Sequence, residues 1–314
     1  MTEETQIQDI VYALATSPDF ERDGLCFAAR PGGLFRSEDG GHTWQDAYAA
    51  LEFEGPLPTA AVALSPNFED DHTLFAGVAG GVLRSTDAGL TWQVASLPSP
   101  PPFVSAMAVS PDFARDGTLL AGTLEDGVFR SGDRGAHWAA WNFGLLDLNV
   151  LAMAISPHFV QDETIFVGTE SGIFRSTNGG RAWREIDFPT DFAPVLCLAL
   201  SPTYAEDGLL FAGTEECGLF QSSDQGQTWS RLGEETVPDT VNSILLAPDF
   251  PTRPDLLVLL GDALLVSRDG GQSWSDWRPG LPTEQGLASV VAPQGLEANA
   301  LLLLGLVGGQ VLQV

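Results

Sequence analysis

Six positions at one repeating offset carry a side-chain oxygen acceptor: Asp39, Asp87, Asp133, Asn178, Asp224 and Asp269. Paired carboxylates are the equipment of glycoside hydrolysis, and clustered ones of hard-cation binding. Both chemistries need the groups to converge on one point. Here each acceptor sits in its own copy of an eight-residue frame: SEDGGHTW (37–44), STDAGLTW (85–92), SGDRGAHW (131–138), STNGGRAW (176–183), SSDQGQTW (222–229) and SRDGGQSW (267–274). A second set of acids, Glu125, Asp126, Glu170, Glu215 and Glu216, falls in short glycine-containing turns, EDG, ESG and EECG. Acids at turn tips suit a docking surface for a cationic partner.

Composition narrows the alternatives. The 314 residues include 14 arginines, no lysine and 42 Asp plus Glu, a formal net charge of 14 − 42 = −28. Without lysine there is no Schiff-base chemistry and no P-loop. The negative balance argues against nucleic acid, whose phosphates need a basic face. Cys26, Cys197 and Cys217 are odd in number and form no CxxC, so neither a disulfide framework nor a zinc site is expected. Cys26 and Cys197 lie in apolar runs and read as core; Cys217 reads as a loop residue. His42, His72, His137 and His158 fall in turns, no two at ligand spacing, so no metal and no cofactor is expected. No apolar run approaches a membrane span, and MTEETQIQDI has no basic n-region. A cytoplasmic protein without membrane insertion is the expectation.

The frames are positioned by a repeat. Their tryptophans, Trp44, Trp92, Trp138, Trp183, Trp229 and Trp274, are spaced by 48, 46, 45, 46 and 45 residues. A period in the forties marks a repeat architecture. Between frames come an apolar run ending in Ser-Pro (VALSP, AMAVSP, LAMAISP) and a turn with an aromatic and an acid (PDFERDG, PTYAEDG). A β-rich run (TLFAG, TIFVGT), a glycine turn and a short strand (GLFRS, GVFRS) follow. Four short strands per unit and no helical period predict an all-β chain: a single β-propeller domain over 1–314, with seven four-stranded antiparallel blades. The repeats run near 10–55, 56–102, 103–148, 149–193, 194–239, 240–285 and 286–314 plus 1–9. The seventh unit stops where its own frame would begin. Counting back one link from Ser17 puts Met1–Gln6 in the register of its missing outer strand, so the N-terminal strand is expected to complete the last blade and protect its edge.

Within a frame, Ser and Asp can accept backbone N–H bonds, the fifth residue (glycine) supplies a positive φ, and Trp opens the outer strand as an apolar anchor. Ser37, Asp39, Trp44, Ser85, Asp87, Trp92, Ser131, Asp133 and Trp138 are therefore read as structural. So are Ser176, Asn178, Trp183, Ser222, Asp224, Trp229, Ser267, Asp269 and Trp274. The pattern S-x-D-x-G-x-T-W resembles the Asp-box (BNR) repeat of sialidases, sortilin-type receptors, two-propeller xyloglucanases and a photosystem II assembly factor. The resemblance runs over the whole chain. Its departures are Asn178 for Asp, and His137, Ala182 and Ser273 for Thr. It implies that the boxes lie on the face away from a ligand site.

The innermost strands should line a central channel, and residues 12–17, 61–65, 105–110, 151–156, 196–201, 242–247 and 287–292 contain no Asp, Glu, Arg, Lys or His. That leaves little for acid–base catalysis. The resemblance to sialidases would imply a converging arginine cluster, a tyrosine–glutamate pair and an Arg-Ile-Pro motif. Arg36, Arg84, Arg130 and Arg175 instead recur at one offset, and the motif is absent. No catalytic residue is assigned. The expected function is a non-catalytic protein-interaction or assembly scaffold whose acidic loop face takes a basic protein or peptide. The alternative is a carbohydrate-binding protein or sialidase-like glycoside hydrolase with a glycan ligand; cation binding in the acidic turns is a third reading. The face would lie opposite the boxes. Link acids Glu52, Glu54, Asp147, Asp187, Asp191, Glu234, Glu235 and Asp239 would join the turn acids there. Trp141 and Trp277, three residues beyond a frame Trp, should point away from it and stand exposed.

Overall fold

The computed structural model describes residues 9–51, 53, 55–98, 102–190, 193–238, 240–281 and 283–314. Their strands form seven antiparallel sheets, each built from consecutive strands. Blade 4 shows the pattern from the channel outward: Val150–Ile155, Ile165–Thr169, Ile173–Ser176 and Arg184–Glu185. Six sheets have four strands. The seventh has three described strands, Leu287–Val291, Leu303–Leu306 and Val311–Gln313. The chain is a seven-bladed β-propeller; the strand expected from Met1–Gln6 lies outside the described residues.

The core is divided among the seams between blades. Leu120 and Val128 of blade 3 pack with Ile165, Val167 and Phe174 of blade 4, and equivalent clusters occupy the other six seams. This is why second strands such as Ile165–Thr169 are buried along their whole length: both faces meet a neighbouring blade. The last seam closes the ring. Val11, Leu14 and Cys26 pack on Leu303. The Val11 N–H donates to Leu306 O (3.1 Å), and Ser289 Oγ donates to Val11 O (2.8 Å).

A glycine in the second strand makes room for a valine of the following blade. A Cβ on Gly77 would lie 2.5 Å from Val104 Cγ1, and one on Gly122 would lie 2.5 Å from Val150 Cγ1. Gly168 with Val195, Gly213 with Val241 and Gly305 with Val11 repeat the fit. At the other end of the seams, aromatics of the Ser-Pro loops, Ala247-Pro248 in blade 6, stack edge-on against the preceding blade. Phe27–Phe68, Phe75–Phe113, Phe166–Tyr204 and Phe211–Phe250 have centroids 6.4, 5.6, 5.9 and 5.7 Å apart.

Frames and Ser-Pro loops share one face. In blades 1 to 6 a frame N–H donates to a Ser-Pro-loop carbonyl, from Gly40 to Gly24 (2.9 Å) through Gly270 to Pro254 (3.0 Å). Inside each frame the serine hydroxyl is the hub. Ser37 Oγ donates to Asp39 Oδ1 (2.7 Å) and accepts from Gly41 N (2.9 Å), while Asp39 accepts from Thr43 N (2.9 Å) and Thr43 Oγ1 (2.6 Å). Gly41 has φ 97°, as expected of the fifth position. The fourth position is left-handed too, although Ala88, Arg134 and Gln225 occupy it. Frame Asn178 keeps its acceptor bonds to Ser176 and Ala182, and His137 Nδ1 replaces the threonine hydroxyl at 2.6 Å from Asp133.

The tryptophans differ from expectation. Each stands one residue before its outer strand rather than opening it. Only Trp92 and Trp183 are buried. Their Nε1 groups reach the preceding blade at Ala47 O (2.8 Å) and Trp141 O (2.7 Å). Trp44, Trp138 and Trp274 are half-buried and donate within their own frames. The repeated arginines likewise tie neighbouring blades: Arg36 Nε donates to Ala88 O (2.7 Å) and Arg175 to Gln225 O (3.1 Å).

Candidate partner-binding face

The face opposite the frames carries the turns between second and third strands. In blades 3, 4 and 5 a Gly-Thr at or next to the end of the second strand precedes the acids: GTLEDG, GTESG and GTEECG. The threonines are fully buried. Their hydroxyls close the turns, Thr123 on Gly127 O (2.8 Å), Thr169 on Gly172 O (3.1 Å) and Thr214 on Gly218 O (2.9 Å). Glu125, Glu170, Glu215 and Glu216 stand exposed on these tips, and Asp126 is half-buried. Acids are thus projected from a turn whose own polar groups are satisfied.

The links brace the tips. Asn149 Oδ1 accepts from Glu125 N (3.1 Å) and Asn149 Nδ2 donates to Glu170 Oε2 (3.3 Å), joining blades 3 and 4. Asp147 accepts from Asn149 N (3.0 Å) and Ser171 N (2.8 Å). Burial pushes the Asp147 carboxyl up, but these bonds outweigh it and hold its pKa below the ordinary value. On blade 5, Glu215 N donates to Pro194 O (3.0 Å). Exposed Asp262 on the blade 6 turn continues the arc. The structure brings Glu125 and Glu170 together through Asn149 and sets Glu215 and Glu216 on the next blade. Glu52, Glu54, Asp191 and Asp239 lie outside the described residues.

Trp141 and Trp277 are not exposed tips. Trp141 is half-buried between the guanidiniums of Arg130 (4.5 Å) and Arg181 (5.6 Å). Trp277 packs against the blade 6–7 core under Arg268 (5.4 Å). Strand alternation does turn them from the frame Trp, but arginines beside and within the frames cover their rings. Asn149 and the threonine caps are additions, and Asp147, expected there as a link acid, serves as a brace. The caps had a signal, the shared Gly-Thr before each acidic turn.

The frame carboxylates are committed to their own turns. Asp224 accepts from Thr228 Oγ1 (2.6 Å), Thr228 N (2.8 Å), Ser222 Oγ (2.8 Å) and Gln227 N (3.0 Å). These bonds hold it down to about 2. Among the described residues, every carboxylate whose pKa departs from its ordinary value is lowered. A glycosidase acid needs the opposite shift. Among the described residues, no group of three or more His, Cys, Asp or Glu side chains is placed to hold a metal ion. No helix among them is long and apolar enough to cross a membrane.

No protein-family model matches the sequence, and no curated protein matches it. Solved structures match its fold. The GH74 xyloglucanase of Xanthomonas campestris aligns at 18% identity and TM-score 0.74, over 97% of this chain and 52% of the enzyme. The GH74 enzyme of Niastella koreensis aligns at 16% identity and TM-score 0.74, over 97% and 52%. This chain therefore spans about half the length of either enzyme. YCF48, solved bound to a D1 peptide, aligns at 16% identity and TM-score 0.70, over 98% of this chain and 93% of YCF48.

Proposed function

We propose that this chain is a non-catalytic Asp-box propeller that docks a basic protein segment on its acidic loop face, as an interaction or assembly scaffold in the cytoplasm. The observation that carries the reading is the braced arc of exposed Glu125, Glu170, Glu215 and Glu216. Rigid loop tips of one charge on a stable scaffold steer and hold an oppositely charged partner. The likeness to YCF48, which matches nearly end to end and was solved with a peptide, supports a peptide or protein ligand. The inner strands, free of ionisable side chains, and the lowered carboxylates weigh against hydrolysis. The GH74 likeness keeps one second reading, a carbohydrate ligand, which a glycan array tests.

Affinity capture from native cell extract at low and high salt, with mass spectrometry, tests the proposal. A basic protein released by salt is expected. Retention of only neutral or acidic proteins, indifferent to salt, would refute it.

A further inference from the structure

The link from Asn142 to Asn149 buries Leu145 but leaves Phe143 80% and Leu146 78% exposed. No other large apolar side chain among the described residues is as exposed. Neither is a frayed end. Trp183 N donates to Phe143 O (2.8 Å), and Leu146 directly precedes Asp147, which accepts from Ser171 N on the acidic tip of blade 4. Phe143 borders a groove of about 650 Å3 where the outer strand of blade 4, with Glu185, Ile186 and Asp187, meets frame residues Asn178, Trp183 and Gln225 of blades 4 and 5. A second hollow of about 370 Å3 shares Glu185, Ile186 and Asp187 and runs to Ser171, beside Glu170. The two grooves therefore run from Phe143 to the acidic tip of blade 4, and Leu146 stands exposed on the link beside them.

Its charge selects the occupant. Three exposed acids, Glu170, Glu185 and Asp187, outnumber exposed Arg184 and half-buried Arg175, whose guanidinium is turned onto Gln225 (3.1 and 3.3 Å). A second copy of this chain, at −28, would be repelled. We infer that this surface takes a cationic segment bearing apolar side chains, its bases meeting Glu170, Glu185 and Asp187 and its apolar groups covering Phe143 and Leu146. The inference rests on the acidic-face reading and adds a side-chain requirement to it: charge alone is not enough.

Two fluorescent peptides of equal length and charge test it, one alternating Arg and Leu, the other Arg and Ser, titrated by anisotropy against the full chain. The Arg/Leu peptide should bind about tenfold or more tighter, since it buries two large apolar side chains. Phe143→Ser with Leu146→Ser should abolish that preference, leave Arg/Ser affinity unchanged and leave the melting temperature unchanged. Equal binding of the two peptides to the wild type, or a preference that survives in the variant, would overturn the inference. Failure of the parent reading is separately visible: Glu125, Glu170, Glu215 and Glu216→Gln would then leave both affinities where they were. If neither peptide binds, both readings fall.

Discussion

Replacing Gly122 with alanine should strain the seam between blades 3 and 4. The added Cβ would lie 2.5 Å from Val150 Cγ1, 3.1 Å from Val150 Cβ and 3.1 Å from Met153 Sδ. Val150 is fully buried and cannot swing into solvent. Overpacking of this kind costs about 1–3 kcal/mol. Val150→Ala alone removes two buried carbons, at about 0.8 kcal/mol each plus the cavity left behind, or about 2 kcal/mol. In the double variant the new methyl occupies the space the valine vacates. Its destabilisation should fall short of the sum by about 1 kcal/mol or more. Urea unfolding of the wild type and three variants, compared at a common slope, reads the cycle. A neutral Gly122→Ala, or single effects that simply add, would refute the claim that this glycine makes room for the next blade.

Acidification should destabilise the frames. Asp133, Asp224 and Asp269 are lowered to about 2, first by side-chain bonds from His137, Thr228 and Ser273. Depressed folded-state values give stability that is full above about pH 4 and lost as pH falls toward 2; an acid-unfolding curve unchanged by Asp224→Asn would contradict this. Trp183→Ala should cost about 3–5 kcal/mol and half-buried Trp44→Ala clearly less, read by urea midpoints; equal losses would contradict the burial argument. Thr169→Val removes the hydroxyl closing the blade 4 turn. It should cost about 1 kcal/mol of stability and weaken partner capture, whereas unchanged capture would separate tip rigidity from binding.

The seven blades were readable because the frame and the Ser-Pro loop each recur in register, and because strands in short alternating runs leave no helical alternative. The sharing of one face by frames and Ser-Pro loops rests on six frame-to-loop bonds, from Gly40–Gly24 to Gly270–Pro254, that no single repeat announces. Other features depend on neighbours that a single repeat does not contain. Trp141 looked exposed because strand alternation says which way a ring turns, not that Arg130 and Arg181 will cover it. Trp92 and Trp183 share a frame position with Trp44 but reach across a seam, which depends on the preceding link. Asn149 and Asp147 were not found as braces because links vary in length and composition. Left-handed Ala88 and Arg134 had no glycine to announce them.

In the proposed function the acidic loop face, and not overall negative charge, holds a cationic partner. The most direct test is an anisotropy titration with an arginine-rich peptide against two charge-matched variants. One carries Glu125, Glu170, Glu215 and Glu216→Gln on the loop face. The other carries Glu21→Gln, Glu69→Gln, Asp70→Asn and Glu206→Gln on the frame face, where all four are exposed. Both lose the same net charge. The loop-face variant should bind about tenfold or more weaker at physiological salt, while the frame-face variant should stay close to wild type. Equal weakening in the two variants would contradict it.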